Sequence, residues 1–285
     1  MINITKAGNA RRAILNMIEP YMQENYFHLH AVPLRRIMSI LEEVKREDEV
    51  VSKAKRELSF LGMLTVALFI LALIIIGVYP IDKDMEGFTL VMFPLASSAV
   101  ICLILYVSLS WSVYKSLGFN YLLMLYAYDF LSHFRHELNQ EAPAGLQVYT
   151  DFYDSPDLEK EKQRADGYNI TKYFISPAVK LEASFTDGSK LVACLNAYPI
   201  VMMGYKKETK HRLLFVHEVT LNTTDGWKYE IASEDRSKEV TLSKEEEIKV
   251  PKRPNQYFLF ISTLPSAEYA IELTLKAREK QKAAQ

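Results

Sequence analysis

Six histidines are the side chains in this sequence best suited to metal binding or proton transfer near neutral pH. His133 and His136 fall three apart on a segment that reads as helix, close enough to share one ion. A zinc site needs three or four ligands, however, and Asp129 and Glu137 are the only carboxylates near them. The order His-x-x-His-Glu is also not the His-Glu-x-x-His of helical metalloproteases. His28 and His30 fall in a connection. His211 and His217 lie on or near a strand, with no partner that spacing can place. Asp151, Asp154 and Asp157 read as a solvated acidic turn rather than a calcium loop. No metal ligand is assigned.

Other chemistries need signatures that are missing. Gly-Lys-Ser/Thr, which closes a phosphate-binding loop, does not occur, and neither does Gly-x-Ser-x-Gly. Cys102 and Cys194 make no Cys-x-x-Cys pair. No catalytic residue and no cofactor is assigned, and a non-enzymatic role is favoured. Lys206, Lys207, Lys210 and Arg212 gather beside Tyr205 and read as a solvated strand end. With a net charge of −1, no nucleic-acid partner is expected.

The strongest pattern is apolar. Residues 59–79 carry no charge from Phe60 to Tyr79, and about 20 helical residues match the hydrocarbon core of a bilayer. Residues 88–111 form a second uncharged run, with Pro94 inside it. The eight-residue loop 80–87 makes the two spans antiparallel neighbours. Tyr79, Trp111 and Lys115 suit membrane-interface anchors. Lys45, Arg46, Lys53, Lys55 and Arg56 precede the first span, whereas the loop holds only Lys83 among acids. That asymmetry predicts both termini on the cytoplasmic side of a bacterial inner membrane or a plasma membrane. Residues 116–134 are apolar enough to suggest a third span, but Asn120, Asp129 and His133 argue against it.

Outside the spans, residues 1–32 read as an amphipathic N-terminal helical region. Residues 33–58 read as a cytoplasmic helix with an apolar seam at Ile37, Val44, Val51 and Leu58. Residues 112–140 read as a cytoplasmic or interfacial helix. After Pro143 the period changes from helical to alternating, and residues 145–276 hold eight or nine short strand candidates, among them 227–232, 256–263 and 268–276. The clearest is a hairpin, 179–195, turning at Asp187-Gly188 with the signature of a type I′ turn. Residues 277–285 form a basic tail.

The expected fold class is thus an α+β membrane protein: a two-helix transmembrane hairpin with helical extensions, then an antiparallel, immunoglobulin-like β-sandwich. The expected function is a membrane-anchored cytoplasmic binding or scaffold module in a membrane-associated assembly. Its partners are the lipid bilayer and a protein or second copy, met through 33–58, 112–140 or the β-domain. The alternative is an oligomeric pore-forming or membrane-disrupting effector with the β-domain as sensor.

Overall fold

The structure is a computed structural model, and it describes residues 2–78, 85–114, 121–150, 158–165, 167–204, 209–222, 239–250 and 265–283. The fold is α+β with a mostly antiparallel sheet. The chain divides into two compact units: residues 1–15 with 46–117, and residues 16–45 with 118–285.

The first unit is helical. It contains most of α1 (Ile2–Ile18), the larger part of α2 (Leu34–Val78) and α3 (Met85–Tyr114). Ala10 of α1 packs with Val51, Ala54 and Leu58 of α2, and Tyr106 of α3 lies against that cluster. Gly62 leaves room for the Tyr106 ring: a Cβ there would stand 3.0 Å from Tyr106 Cε2. Thr65 turns its hydroxyl back to the Leu61 carbonyl at 2.9 Å, which satisfies a polar group on an otherwise apolar stretch. Beyond Leu58 the usual soluble pattern reverses. Phe60, Met63, Val66, Ile70, Leu73 and Ile74 are exposed. Among the described helices one, Leu34–Ile76, is long and apolar enough to cross a membrane, and only 6 % of its apolar window is buried.

The second unit is built on a nine-stranded sheet. Its strands are β1 (Met22–Gln23), β2 (Tyr26–Pro33), β3 (Pro143–Tyr149), β4 (Lys160–Ala165), β5 (Tyr168–Tyr173), β6 (Ile175–Ser184), β7 (Lys190–Gly204), β8 (Thr209–Asn222) and β9 (Glu239–Val250). They run in the order β1-β2-β3-β6-β7-β5-β4, with β8 on the other side of β7 and β9 beyond it. The long strand β7 has two neighbours in succession along one edge: β6 beside residues 190–197, then β5 beside residues 200–204. Pro199 stands at the changeover, where neither neighbour asks for the N–H that proline lacks.

Helices α4 (Leu122–His133) and α5 (Ala267–Ala283) cover one face of this sheet, α5 lying on β8 and β9 and against α4. The start of α2 belongs here too. Its first free amides are used, because Leu34 and Arg35 donate to the carbonyls of Ala142 and Gln140 at 3.2 and 3.0 Å. Glu42 pairs with Arg135, and Lys45 with Asp129. On the covered face Leu146, Val148, Val179, Leu181, Leu195, Phe215 and Val219 meet Phe130, Phe134 and Leu131 in a buried core.

Several expectations change. Residues 22–33 are not part of a helical region or connection but two strands, so His28 and His30 sit in β2: Phe27 and Leu29 alternate with them, and the period of two wins. Residues 268–276 are helix, not strand; Ala267, Ala270, Leu273, Thr274 and Ala277 make the buried stripe of α5 at helical spacing. Residues 239–250 form one continuous strand, β9. An immunoglobulin-like sandwich needs two packed sheets; the described strands form one, with helices against its apolar face. The turn at 185–189 is a type I turn with a glycine bulge rather than type I′. Gly188 donates to Phe185 O and has φ +84°, while Asp187 keeps ordinary φ and accepts from Ser189 N. The apolar segment after residue 116 contains α4, whose Leu123, Met124, Phe130 and Leu131 are buried in the second unit. The seam residues Ile37, Val44, Val51 and Leu58 are all buried within the single chain. The strand candidates 227–232 and 256–263 lie outside the described residues.

Candidate functional site

The two faces of the sheet offer two different sites. On the covered face one cross-strand row reads Phe27, Val148, Val179, Leu195, His217, Lys244, from β2 to β9. Four apolar members are followed by two polar ones, and the change falls where α5 packs. His217 is 0 % exposed, yet both its ring nitrogens are engaged. Nδ1 lies 3.1 Å from the Tyr126 hydroxyl of α4, and Nε2 lies 3.1 Å from Glu246 Oε2 of β9. The same Glu246 oxygen accepts the backbone N–H of Ser266 at 3.1 Å, just before α5 begins. Tyr269 of α5 stacks obliquely on His217 with centroids 5.4 Å apart, and Lys244 Nζ stands 4.4 Å from the Tyr269 ring centre.

The protonation states follow from burial. Burial pushes the Tyr126 phenol far up, with Glu246 and Cys194 adding to the effect, so Tyr126 is a neutral O–H donor. Burial also lowers the pKa of His217, against the opposing pull of Glu246. A neutral His217 therefore accepts from Tyr126 at Nδ1 and donates from Nε2 to Glu246, and every group in the chain is satisfied. The His217–Glu246 contact is a hydrogen bond to a carboxylate, not an ion pair. This array can hold a proton in place and pin α4, β8, β9 and the start of α5 together. A fully buried imidazole offers a substrate no approach, so the array is a structural polar network.

The other face carries a row that is polar from end to end: His28, Gln147, Lys180, Cys194, Glu218, Ser243. Beside it Glu182 pairs with Lys180 at 2.7 Å. His28, His30, Gln147, Lys180 and Glu182 line a groove of ≈ 300 Å³ over Gly145 and Leu146. A second hollow of ≈ 230 Å³ shares His30, Gly145 and Glu182 and continues toward Lys190 and Asn222. His30 shares the face of His28 by ordinary alternation, and strand β2 bulges just beyond it, between Leu29 and Val32, with Ala31 at φ +53°. Lys180 holds its proton more tightly because Glu182 accepts from it, whereas burial raises the Cys194 thiol and keeps it from acting as a thiolate.

The residues singled out in sequence distribute as follows. His133 ends α4, His136 lies in the turn after it, and His211 is in β8. Among the described residues no three His, Cys, Asp or Glu side chains stand close enough to hold a metal ion. Lys210 and Arg212 lie in β8. Tyr205, Lys206, Lys207, Asp151, Asp154 and Asp157 lie outside the described residues, as do Tyr79 and Lys115. Trp111 is in α3, with its side chain outside the description. The Tyr126–His217–Glu246 chain escaped sequence reading because its members are 91 and 29 residues apart. One signal was available: a histidine in the apolar phase of Leu213, Phe215, Val219 and Leu221 has to be buried with partners. No family model, curated protein or solved structure matches the chain.

Proposed function

We propose that the chain is a membrane-anchored binding module. The apolar parts of α2 and α3 cross a bilayer as a hairpin with Tyr79, Trp111 and Lys115 at its interfaces. The open face of the sheet docks a protein partner on the cytoplasmic side, where the basic residues before the first span keep it. The observation that carries the reading is the exposed apolar surface of α2 from Phe60 to Ile76, in a chain whose second unit buries its apolar residues in the ordinary way. The uncharged character of both runs favours an anchor over an ion route. On the sheet, half-exposed polar and charged side chains over a shallow groove suit a partner with its own polar surface better than an apolar ligand.

Two measurements test this. Membranes from cells making the full chain are washed with alkaline carbonate; the chain stays in the pellet if it spans, and its release to the supernatant refutes the anchor. Affinity purification in mild detergent then compares the wild type with a Lys180→Glu, Glu218→Lys double variant. The reading expects a co-purifying protein that the double variant loses. A lone monomer in both preparations contradicts docking through this face.

A further inference from the structure

Where β5 takes over the edge of β7 from β6, the open face of the sheet changes character. The register places Lys172, Ile200 and Arg212 in one cross-strand row, and Ile170, Met202 and Lys210 in the next. Both rows share the face of Cys194 and Glu218, because Cys194, Ile200 and Met202 stand an even number of residues apart along β7. Tyr198 and Leu214 form the row before them, and Tyr168 of β5 stands beyond. Ile170, Tyr198, Ile200, Met202 and Leu214 are all half-buried. A sheet face turned to water ordinarily carries polar side chains, as the Cys194 row does. These rows keep large apolar ones instead.

The lysines of this patch lie on aromatic rings. Lys172 Nζ is 4.8 Å from the Tyr198 ring centre and 5.2 Å from that of Phe174, and these two rings meet edge to face at 5.8 Å. Lys210 Nζ is 4.7 Å from the ring centre of Tyr168. A lysine laid along a ring covers it with an apolar stem and keeps its ammonium at the surface as a donor. The register adds Lys249 of β9 beside Arg212. It also brings Glu161 of β4 to Lys172 and Glu247 of β9 to Leu214. Lys172, Lys210, Arg212 and Lys249 thus stand against Glu161 and Glu247, an excess of positive charge. Lys160, Lys162 and Arg164 of β4 fall on the opposite face and take no part.

We propose that this patch seats a segment of a partner protein that is both acidic and apolar. The inference rests on the reading of the open face as a docking face, and names what the partner brings to it. Aromatic side chains, methionine and arginine are the residues in which the centres of protein interfaces are rich. The floor of aliphatic and aromatic side chains takes apolar side chains of the partner, and carboxylates beside them pair with Lys172 and Lys210. The mixed-sign groove around Lys180 and Glu182 meets the rest of the partner. Single-stranded nucleic acid is the competing anion. It is disfavoured because base stacking needs open ring faces, and Tyr168, Tyr198 and Phe174 already have lysines over theirs.

The probe is a phage-displayed library of random dodecapeptides, selected on the full chain in phosphatidylcholine nanodiscs. The proposal expects enriched peptides that combine Asp or Glu with aromatic or aliphatic residues. Their binding should weaken about tenfold in a Lys172→Glu, Lys210→Glu variant and at about 0.5 M salt, and persist in the Lys180→Glu, Glu218→Lys variant. An unchanged melting temperature confirms that the variant is folded. Lys172→Gln, Lys210→Gln removes the two charges without reversing them and should weaken binding about threefold. Enrichment of nothing, or of peptides without acidic residues, overturns the proposal. So do peptides that bind both lysine variants as tightly as the wild type, and so does a single-stranded oligonucleotide that binds more tightly than the peptides. Peptides lost only in the Lys180→Glu, Glu218→Lys variant overturn the patch and leave the docking face standing. A chain that never enters discs defeats the anchored reading instead, and the same selection on that soluble chain then decides the patch by the same outcomes.

Discussion

The two units use the same apolar residue types under opposite rules. In the second unit Phe27, Phe130, Phe134, Phe185 and Phe215 are buried, and Met203 is the exposed large apolar side chain among the described residues of the sheet. In the apolar runs of the first unit Phe60, Phe69 and Phe93 point outward, and among the described residues of those runs beyond Leu58 the buried positions are Thr65 and Ala99. The second pattern is what water imposes. Under the proposed anchored reading, the first is packing between helices in apolar surroundings: close approach through small side chains, bulk turned outward. The contrast shows that hydrophobic content alone does not separate a core helix from one whose apolar side chains stay exposed. Helix α4 is as apolar to the eye as part of α3, yet seven of its twelve residues are buried.

The sharpest way to break this comparison is one substitution made in both units. Phe130→Ala removes a fully buried ring and is expected to cost the second unit about 3–5 kcal/mol, read as a lower unfolding midpoint. Phe60→Ala, at a position 66 % exposed, is expected to cost less than about 1 kcal/mol. Equal losses would mean that the exposed surface of α2 is covered by protein.

Next in size is the polar network. His217→Leu leaves the Tyr126 hydroxyl and the Glu246 carboxylate without their shared partner, at about 1–3 kcal/mol for each group so stranded. It also changes the pH response. The folded pKa of His217 lies below its unfolded value, so the unfolded chain binds more protons just below pH 6.5. Stability is therefore full above that pH and falls as pH drops through 6.5 toward the lowered folded value. The substitution should flatten that slope. Chemical denaturation between pH 5 and 8 checks both effects.

Smaller again is the contact between α2 and α3. Gly62→Leu places a branched side chain where the Tyr106 ring lies, and overpacking of about 1–3 kcal/mol is expected, read as weaker heat resistance of the first unit in detergent. Gly62→Ala should do little, because the gain in helix propensity offsets the shift of the ring. The smallest effect belongs to Glu272. Hydrogen bonds from Lys244 and Lys276 depress its carboxyl to about 2. Its contribution is present above the usual carboxylate range and is lost as pH falls from there toward 2. Since the group lies on the surface, Glu272→Gln should alter acid unfolding only slightly at high salt and slightly more at low salt.

What was legible in the sequence depended on whether one element alone determined the answer. The apolar run that begins at Phe60 declares its helix by itself, and α2 runs through it to Val78. So does the Asp187-Gly188 hairpin, except for the turn type, which depended on a backbone angle at Asp187 that residue identity leaves free. The segment Tyr269, Ile271, Leu273, Leu275 alternates like a strand, but Ala267, Ala270, Thr274 and Ala277 repeat like a helix. Both periods are present, and contact with β8, β9 and α4 selects the second. Strand β2 shows the converse: its alternation of Phe27 and Leu29 with His28 and His30 was visible, but its partner β3 lies over a hundred residues away, across both apolar helices. The open-face row was beyond reach for the same reason, since register across six strands decides which side chains share it.

The oxygen of Glu246 that serves both His217 and Ser266 has a consequence for assembly. Helix α5 follows the nine described strands in chain order, and Ser266, just before its first turn, is tied to a residue of the last of them. During synthesis Leu213, Phe215 and His217 therefore remain wet until β9 has paired and α5 has emerged. A nascent chain halted before residue 265 has α4 but not α5 to cover the apolar face of its sheet, which makes that interval the one in which the protein most needs a chaperone.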